Sequence, residues 1–561
     1  MIRVDRGVPV EIDIVETTKD RLEVTGVWVS EDGASELREN LRIQVRPEDE
    51  PAGTSSPDLG PVVREEVAFS RKDTRQATCR WFSFSIPLKK RTTLVWQGAG
   101  PFSGMTWRNV RYGRHASLSE SVRGSFFAKH GWLARLSGEA LVIEPQTRSR
   151  LLVARVRYVL GVVSRPSVDV VKATALYLAS RFERLRHRRP VWIVSDRVAS
   201  ADDNGRAFFE FCMTLPKSER TREIIFAVDR KSDDFRQLAR LGRVVDITSF
   251  RYQALFLMAE FLISAQHGGK QRRPFSGPVM NLLKPALSRS RFVYLKHGIF
   301  KDDMSDTVRR PALDARLVIC AARGEYESIA RGNYLYPQRF LALCGQPRYD
   351  KLCDRSERAI TIMPTWRRMY TRRRADGVLE TLPTFPGSAF CRAFDALFND
   401  ERLKAACART GYELRLMWHP NLQGATGHFH VGGHIRILPP TTRYADIFAT
   451  SSLIVTDFSS TAFDIAYLKK PVVYFQPDEA EFFANQYDKG YFDYRRDGFG
   501  EVETDIAALV DRLIGYLESD CRMKPEYVRR VEGFFAYTDR GNCRRVYDAI
   551  LKACEEDGEE K

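Results

Sequence analysis

The chain is 561 residues long, enough for about three domains and a sizeable core. Hydrophobic residues make up 43% and charged residues 29%, and Gly 36 with Pro 26 are too few for a collagen-like or low-complexity polymer. Lys and Arg number 88 against 72 Asp and Glu, and this surplus of +16 favours a polyanionic partner: nucleic acid, an anionic membrane face or a phosphate-rich substrate.

Residues 1–146 predict a β-rich accessory domain. Segments 8–15, 22–29, 41–45 and 80–87 alternate or cluster β-branched and aromatic residues, with polar Pro/Gly/Ser-rich pieces such as 47–61 between them. A small β-sandwich is expected, with no Gly-rich nucleotide turn and no readable chemistry. The chain opens Met-Ile-Arg-Val-Asp without an apolar h-region, so no secretory signal is expected. The ten cysteines form no C-x-x-C pair, which argues against a zinc ribbon and for a reducing compartment.

Residues 147–189 change character. Eleven basic residues, from Arg148 to Arg189, face only Asp169 and Glu183, and Leu, Val, Tyr and Phe interleave with them. Basic amphipathic helices of this kind lie on anionic membranes; the plainer reading is a solvated face of a helix packed on a neighbouring domain. The apolar stretches 151–163 and 252–265 are broken by charges and fall short of a membrane span. The expected location is cytoplasmic, peripheral on the inner membrane face.

From residue 190 the pattern becomes βαβα. Short apolar runs at 191–194, 223–228, 244–247, 261–264, 292–295 and 317–321 alternate with helix-like stretches such as 204–214 and 233–241. A second series follows at 359–363, 413–418, 435–438, 453–456 and 472–475, and the tail 503–556 reads as helical. These patterns predict an α/β chain with two Rossmann-like domains, 190–350 and 351–561. Their strand carboxyl ends, where such folds bind ligands, would flank one cleft.

Two of the nine histidines end a strand run. His297 follows Phe292-Val293-Tyr294-Leu295-Lys296, and His419 follows Leu414-Arg415-Leu416-Met417-Trp418. One per domain, they are the catalytic candidates, although a lone strand-end histidine is commonly structural. His428, His430 and His434 have metal-like spacing, but no acid or cysteine nearby completes a site, so no metal is expected from them. Thr456-Asp457-Phe458-Ser459-Ser460-Thr461 ends a strand and opens a helix, whose unpaired N–H groups and dipole suit phosphate. The alternative is plain capping, with Thr461 and Asp464 at capping-box spacing. Met363-Pro364-Thr365-Trp366-Arg367-Arg368 also leaves a strand, and Arg372, Arg373 and Arg374 bring the count to five arginines in eight residues. Guanidinium forks suit phosphate, whereas a charge run is ordinarily a solvated loop.

Taken in order, these residues resemble a family. Lys296-His297-Gly298-Ile299-Phe300-Lys301-Asp302-Asp303, Gly345-Gln346-Pro347-Arg348-Tyr349-Asp350, Pro364-Thr365-Trp366-Arg367, His419-Pro420-Asn421 and Thr456-Asp457-Phe458-Ser459-Ser460-Thr461 look like the motifs of the CDP-glycerol glycerophosphotransferases, the primases and polymerases of teichoic acids and related capsule polymers. The similarity runs on through Lys470-Pro471-Val472-Val473-Tyr474-Phe475 and Gly490-Tyr491-Phe492-Asp493-Tyr494, over roughly residues 190–550. Phe458 stands where the family has Tyr, Lys296 where a related branch has Gln, and Ile299-Phe300 where members have Thr-Pro. Residues 1–146 match nothing in the family pattern.

The resemblance implies a GT-B-like arrangement with the site between the domains. It implies transfer of a polyol phosphate from CDP-glycerol or a related CDP-polyol to a lipid-linked polymer hydroxyl, with release of CMP. It maps the proposed base onto His297 and the second catalytic histidine, of the His-Pro motif, onto His419. It places Pro364, Thr365, Trp366, Arg367, Asn421, Asp457, Ser459, Ser460 and Thr461 on the donor phosphates. Gly298, Lys301, Asp302 and Arg348 fall on the acceptor side. His419 if protonated, Arg367 and the Ser459–Thr461 donors would stabilise the leaving phosphate. No cofactor is expected, and divalent-metal use is open. Two rivals stand beside this reading: a GT-B glycosyltransferase using a nucleotide sugar, and a non-catalytic basic protein bound to membrane or another polyanion. Nucleic acid is disfavoured, because no nucleic-acid motif interleaves with the basic runs.

Overall fold

The structure, a computed structural model, describes residues 10–18, 20–30, 41–47, 62–67, 78–98, 105–107, 110–112, 118–119, 122, 124–164, 166–287, 291–374 and 379–559. Positions 8–9 of the first expected strand, most of the expected loop 47–61, the opening Met-Ile-Arg-Val-Asp and Arg165 lie outside these residues. The N-terminal region holds two five-stranded sheets. One is ordered Val62–Val67, Thr78–Pro87, Arg21–Ser30, Val10–Thr17, Arg111–Tyr112; the other Leu41–Pro47, Thr92–Gly98, Ala140–Pro145, Trp132–Ser137, Phe126–Lys129. Alternation sends Ile12, Leu22, Val24, Phe84 and Ile86 of the first and Ile43, Leu94, Trp96, Leu141 and Ile143 of the second into one buried cluster, a sandwich core.

Two helices follow. Thr147 caps Arg148–Val163 and Ser167 caps Val168–Arg186, each side chain accepting an N–H of the first turn. Ala154 of the first packs on Phe126 and Leu133 of the sandwich. Ala173 and Leu176 of the second enter the core of the next domain.

That domain is a seven-stranded sheet in the order Arg243–Asp246, Glu223–Val228, Val191–Ser195, Phe261–Ser264, Arg291–Tyr294, Ala315–Cys320, Leu341–Leu343. Every pairing in it is parallel. The following sheet repeats the pattern with six parallel strands: Ile435–Ile437, Glu413–Leu416, Ala359–Met363, Leu453–Thr456, Val472–Phe475, Val502–Glu503. In both, the chain starts in the middle, winds one way, then crosses back and winds the other. The switch point lies between Val191–Ser195 and Phe261–Ser264 in one domain and between Ala359–Met363 and Leu453–Thr456 in the other. Ligands of doubly wound sheets bind outside the strand ends at such points.

The tail is helical: Ile506–Glu518, Pro525–Phe534 and Asn542–Glu559. Ile506–Glu518 packs into the second domain through Leu509, Val510 and Leu513. Val546, Tyr547 and Ile550 of the last helix instead join Trp192, Phe208 and Phe226 in the core of the first. The Asp350 carboxylate fixes the start of that helix, accepting the N–H groups of Asn542 and Cys543 at 3.0 and 2.7 Å. The C-terminal helix thus follows the second domain in the chain but packs back on the first.

Candidate active site

In the first domain three adjacent parallel strands end together. Ser195 pairs with Ser264, and Ser264 with Tyr294. Arg197, His267 and His297 therefore leave neighbouring strands two or three residues past one level. Lys296 adopts φ +63°, a conformation unfavourable to a side chain with Cβ. It is held there by a fully buried ion pair of its Nζ with Glu325. Glu325 also accepts the N–H groups of Phe300 and Ala321 at 2.7 and 2.9 Å. Lys296 is thus an internal strut of the loop that presents His297.

The His297 side chain is 55% exposed, and its Nδ1 donates to Asp203 Oδ2 at 2.6 Å. Asp203 stands at the N-cap of helix Asn204–Thr214; its Oδ1 accepts from Asn204 N at 2.8 Å and from Arg348 Nη1 at 2.7 Å. Burial works to raise its pKa, but the charges of His297 and Arg348 and these hydrogen bonds hold it well below the usual carboxylate range. An ionised Asp203 can only accept, so the imidazole proton sits on Nδ1 and the Nε2 lone pair faces outward. Arg197 Nη2 lies 3.5 Å from that Nε2. Behind the pair, Asp196 accepts N–H groups of Asp203, Gly205 and Arg206 at 3.1, 2.8 and 2.9 Å. Burial and the neighbouring Asp203 charge push its pKa up.

Across the cleft, the expected donor residues divide in two groups. Arg367 is fully buried: Nε and Nη2 grip Asp478 at 2.6 and 2.8 Å, and Nη1 lies 2.8 Å from Asp457 Oδ2. Its guanidinium also lies 4.2 Å from the centroid of the Phe390 ring, with Phe482 and Phe458 at 5.0 and 5.3 Å. Asp457 is fully buried too, and its Oδ1 accepts the Thr365 N–H at 2.9 Å. The sequence expectation put both on the donor phosphates; in the structure both are buried and hold the Pro364-Thr365-Trp366 loop from behind. Pro364 is buried beside them.

The second group borders the cleft. Thr365 Oγ1 is shielded from water and has no hydrogen-bond partner in the protein. The Trp366 ring stacks at 6.3 Å, 23° from parallel, on the ring of His419. His419 Nδ1 accepts the Asn421 N–H at 3.1 Å, which leaves its proton on Nε2. Burial first, then the nearby charges of Arg197 and His297, lower its pKa to about 4. His419 is therefore neutral at neutral pH, and a cationic role for it is corrected to that of an uncharged N–H donor. Ser459 Oγ accepts from the N–H and hydroxyl of Thr461 at 3.2 and 2.9 Å. Ser460 occupies the N-cap without a side-chain cap bond. The capping box is not formed, because Asp464 turns to Arg348 instead.

Arg348 joins the two halves. Its Nε and Nη2 bind Asp464 of the second domain at 2.7 and 2.8 Å, while Nη1 binds Asp203 and the carbonyl of His297 in the first. Gly298 approaches Ser460 so closely that a Cβ there would lie 2.9 Å from the Ser460 hydroxyl. Lys301 pairs with Asp302, and its Nζ lies 5.3 Å from the Tyr494 ring centroid of the other domain. Of the residues expected on the acceptor side, Arg348, Lys301 and Asp302 are thus engaged in holding the domains, and Gly298 in letting them meet. The histidines of metal-like spacing serve different neighbours: His430 bonds Asp395 at 3.2 Å and His428 packs on Phe385. Among the described residues no cluster of His, Cys, Asp or Glu could hold a metal ion. Asp203, Arg197 and His267 are not among the residues expected from the sequence. The Asp203-Asn204 step is a signal of a helix cap only, since its partner His297 lies 94 residues away.

Two doubly wound domains, with a histidine–carboxylate pair beside the switch point of one and a serine-rich helix start at that of the other, form a GT-B-like architecture. The family model described as CDP-Glycerol:Poly(glycerophosphate) glycerophosphotransferase matches residues 176–552, and the chain belongs to that family. It is 30% identical over 452 residues to the minor teichoic acid biosynthesis protein GgaB of Bacillus subtilis, covering 79% of this chain and 49% of that protein. It is 26% identical over 213 residues to the teichoic acid ribitol-phosphate primase of Bacillus spizizenii, covering 37% of this chain and 51% of that protein. The chain thus spans about half the length of the curated relatives it matches. Among solved structures, the wall teichoic acid polymerase TagF is similar at 15% identity and a TM-score of 0.48, covering 74% of this chain and 100% of that one.

Proposed function

We propose that the protein transfers glycerol phosphate, or a similar polyol phosphate, from a CDP-polyol to a hydroxyl of a lipid-linked teichoic-acid-like or capsule polymer, releasing CMP. The observation that carries this reading is the His297–Asp203 pair opposite the Ser459-Ser460-Thr461 helix start, joined by the Gly298–Ser460 approach. The family and its teichoic acid relatives supply the substrate class. In the proposed step the acceptor oxygen attacks the distal phosphorus in line. An O–P bond forms, the bridging P–O bond breaks, and its electron pair leaves with CMP. The acceptor proton passes to His297 Nε2, and the Asp203 carboxylate stabilises the resulting imidazolium; a positioned base of this kind contributes roughly 10²–10⁴ in rate. The Ser460 and Thr461 hydroxyls, the adjacent N–H groups, the His419 Nε2–H and Asn421 are suited to the donor phosphates. Thr365 Oγ1, which has no hydrogen-bond partner in the protein, and Trp366, which stacks on His419, are further candidates to meet the donor.

The test is a panel of CDP-polyols with a lipid-linked acceptor, reading CMP release and chain length together. His297→Ala is expected to cut turnover by roughly 10²–10⁴ while donor binding stays near normal. Retained activity in that variant would remove His297 as base. Turnover of a sugar nucleotide in place of every CDP-polyol would move the protein to the glycosyltransferases.

We further infer that helices Arg148–Val163 and Val168–Arg186 rest on an anionic membrane face. Leu152, Leu160, Leu178 and Phe182 are exposed, and Val168 and Leu185 reach 84% and 85%. Exposed arginines run between them, each worth about 1 kcal/mol close to an anionic surface. Among the described residues no helix is long and apolar enough to cross a membrane, so the contact is one of lying on the surface.

A further inference from the structure

We propose that the strand ends beside His297 form a subsite for the phosphodiester of the acceptor chain, built from Arg197, Gln266, His267 and Arg273. It rests on the transfer reading above and names where the acceptor lies. These residues sit at the switch point of the first domain, the crevice that doubly wound sheets use for ligands. The donor residues occupy the equivalent crevice of the other domain, so the one beside the base is left for the acceptor.

The site's arginines fall into two kinds. Arg206, Arg348 and Arg367 are each held by carboxylates at 2.8 Å or less. Among the described residues, Arg197 and Arg273 meet no carboxylate; the partner of Arg197 is His297 Nε2 at 3.5 Å. Arg273 is exposed and, like Arg197, has no carboxylate to neutralise it, so both guanidiniums are available to an anion. Gln266 Nε2 is shielded from water with no acceptor in the protein, an orphan donor that a ligand oxygen would satisfy. The buried Tyr294 hydroxyl lies 3.2 Å from His267 Nδ1 and holds the ring in place, leaving Nε2 free to meet a ligand. Burial and the charges of Arg273, Arg272 and His297 lower the pKa of His267, which makes it a neutral donor. The loop carrying these groups is pinned from below. Gln271 Nε2 donates to the Asp196 carbonyl at 2.6 Å, and the Tyr252 hydroxyl reaches the carbonyls of Lys270 and Gln271 at 3.3 Å.

The span selects the ligand. Neighbouring strands lie about 4.8 Å apart, so the three ends cover about 10 Å, wider than a single phosphate. Donors spread over that width suit an extended phosphodiester chain whose terminal hydroxyl reaches His297. The probe is a glycerol phosphate oligomer of a few units, titrated into the full chain without donor. Wild-type protein is expected to bind it, with affinity falling as salt rises. Arg273→Glu is expected to weaken binding by roughly tenfold to a hundredfold and to raise the KM for a phosphodiester acceptor by a like factor. Lys217→Glu, an equal charge reversal outside the cleft, is expected to leave binding unchanged. No binding by wild type, equal binding by Arg273→Glu, or an equal loss in Lys217→Glu would overturn the subsite. If no CDP-polyol releases CMP yet the oligomer binds and Arg273→Glu abolishes it, the subsite stands and the transfer reading falls.

Discussion

At the scale of single residues, two strand-end histidines of similar sequence context meet different surroundings. His297 is half exposed, and its Nδ1 is bonded to the Asp203 carboxylate. His419 is tucked against Trp366 and accepts an N–H, and it is held neutral down to about pH 4. This depression has a thermodynamic consequence. The unfolded chain protonates His419 below its ordinary value of 6.5, while the folded chain resists until about 4. Stability from this group is therefore complete above pH 6.5 and is lost as pH falls toward 4, by at most about 1.4 kcal/mol per pH unit. Urea unfolding between pH 7 and pH 4 should show a shallower loss for His419→Asn than for wild type. Parallel curves would mean that the imidazole is not held neutral.

At the scale of elements, helix Val168–Arg186 shows how one helix acquires two apolar stripes. Ala173 and Leu176 fill the stripe that meets the first Rossmann-like domain, and Val170 on the same stripe packs with Val122 and Val162. Val171, Leu178, Phe182 and Leu185 recur at spacings that share another stripe, and that one is exposed. A helix built only for packing has no use for the second. Sedimentation with vesicles is expected to require anionic lipid and to weaken with salt. Arg155→Glu with Arg157→Glu should abolish binding, and Leu152→Ser with Leu160→Ser should weaken it even at low salt. Equal binding to neutral vesicles would dismiss the electrostatic part of the contact. Unaltered binding in both variants would dismiss the helix pair itself.

At the scale of the whole molecule, the cleft depends on a few contacts that hold two independent sheets in register. Arg348 reaches Asp203 and Asp464 at once, so the base and the serine-rich helix start share one anchor. Burial pushes the Asp464 carboxyl upward while the Arg348 charge pulls it down, the situation of a buried pair whose partner must not be removed. Asp464→Ala leaves Arg348 short of an acid in a dry setting and is expected to cost about 3–5 kcal/mol in urea unfolding. Asp464→Asn, which keeps volume and an acceptor oxygen, should cost less. If Asp464→Ala unfolds at the same urea concentration as wild type, the anchor contributes nothing to holding the domains.

The features legible in the order of residues are local. Buried parallel strands are short continuous apolar runs, so strands such as Ala359–Met363, Leu453–Thr456 and Val472–Phe475 are legible from residue type alone. So is the placing of His297 and His419 at strand ends, and with it the α/β class. The expected sandwich strands were likewise legible where alternation was clean. Which side chains meet is settled by the folded arrangement alone. The five-arginine loop reads as a phosphate binder until Asp478, 111 residues further on, and three phenylalanines enclose Arg367. Asp203 becomes the partner of His297, and Arg197 and His267 its neighbours, only because the chain returns to place Phe261–Ser264 beside Val191–Ser195. Arg348 finds Asp464 only when the second domain closes on the first. Periodicity reports how a segment is buried, but Coulomb and hydrogen-bond energies fall off within a few ångströms, and those distances are set by strand order and domain approach.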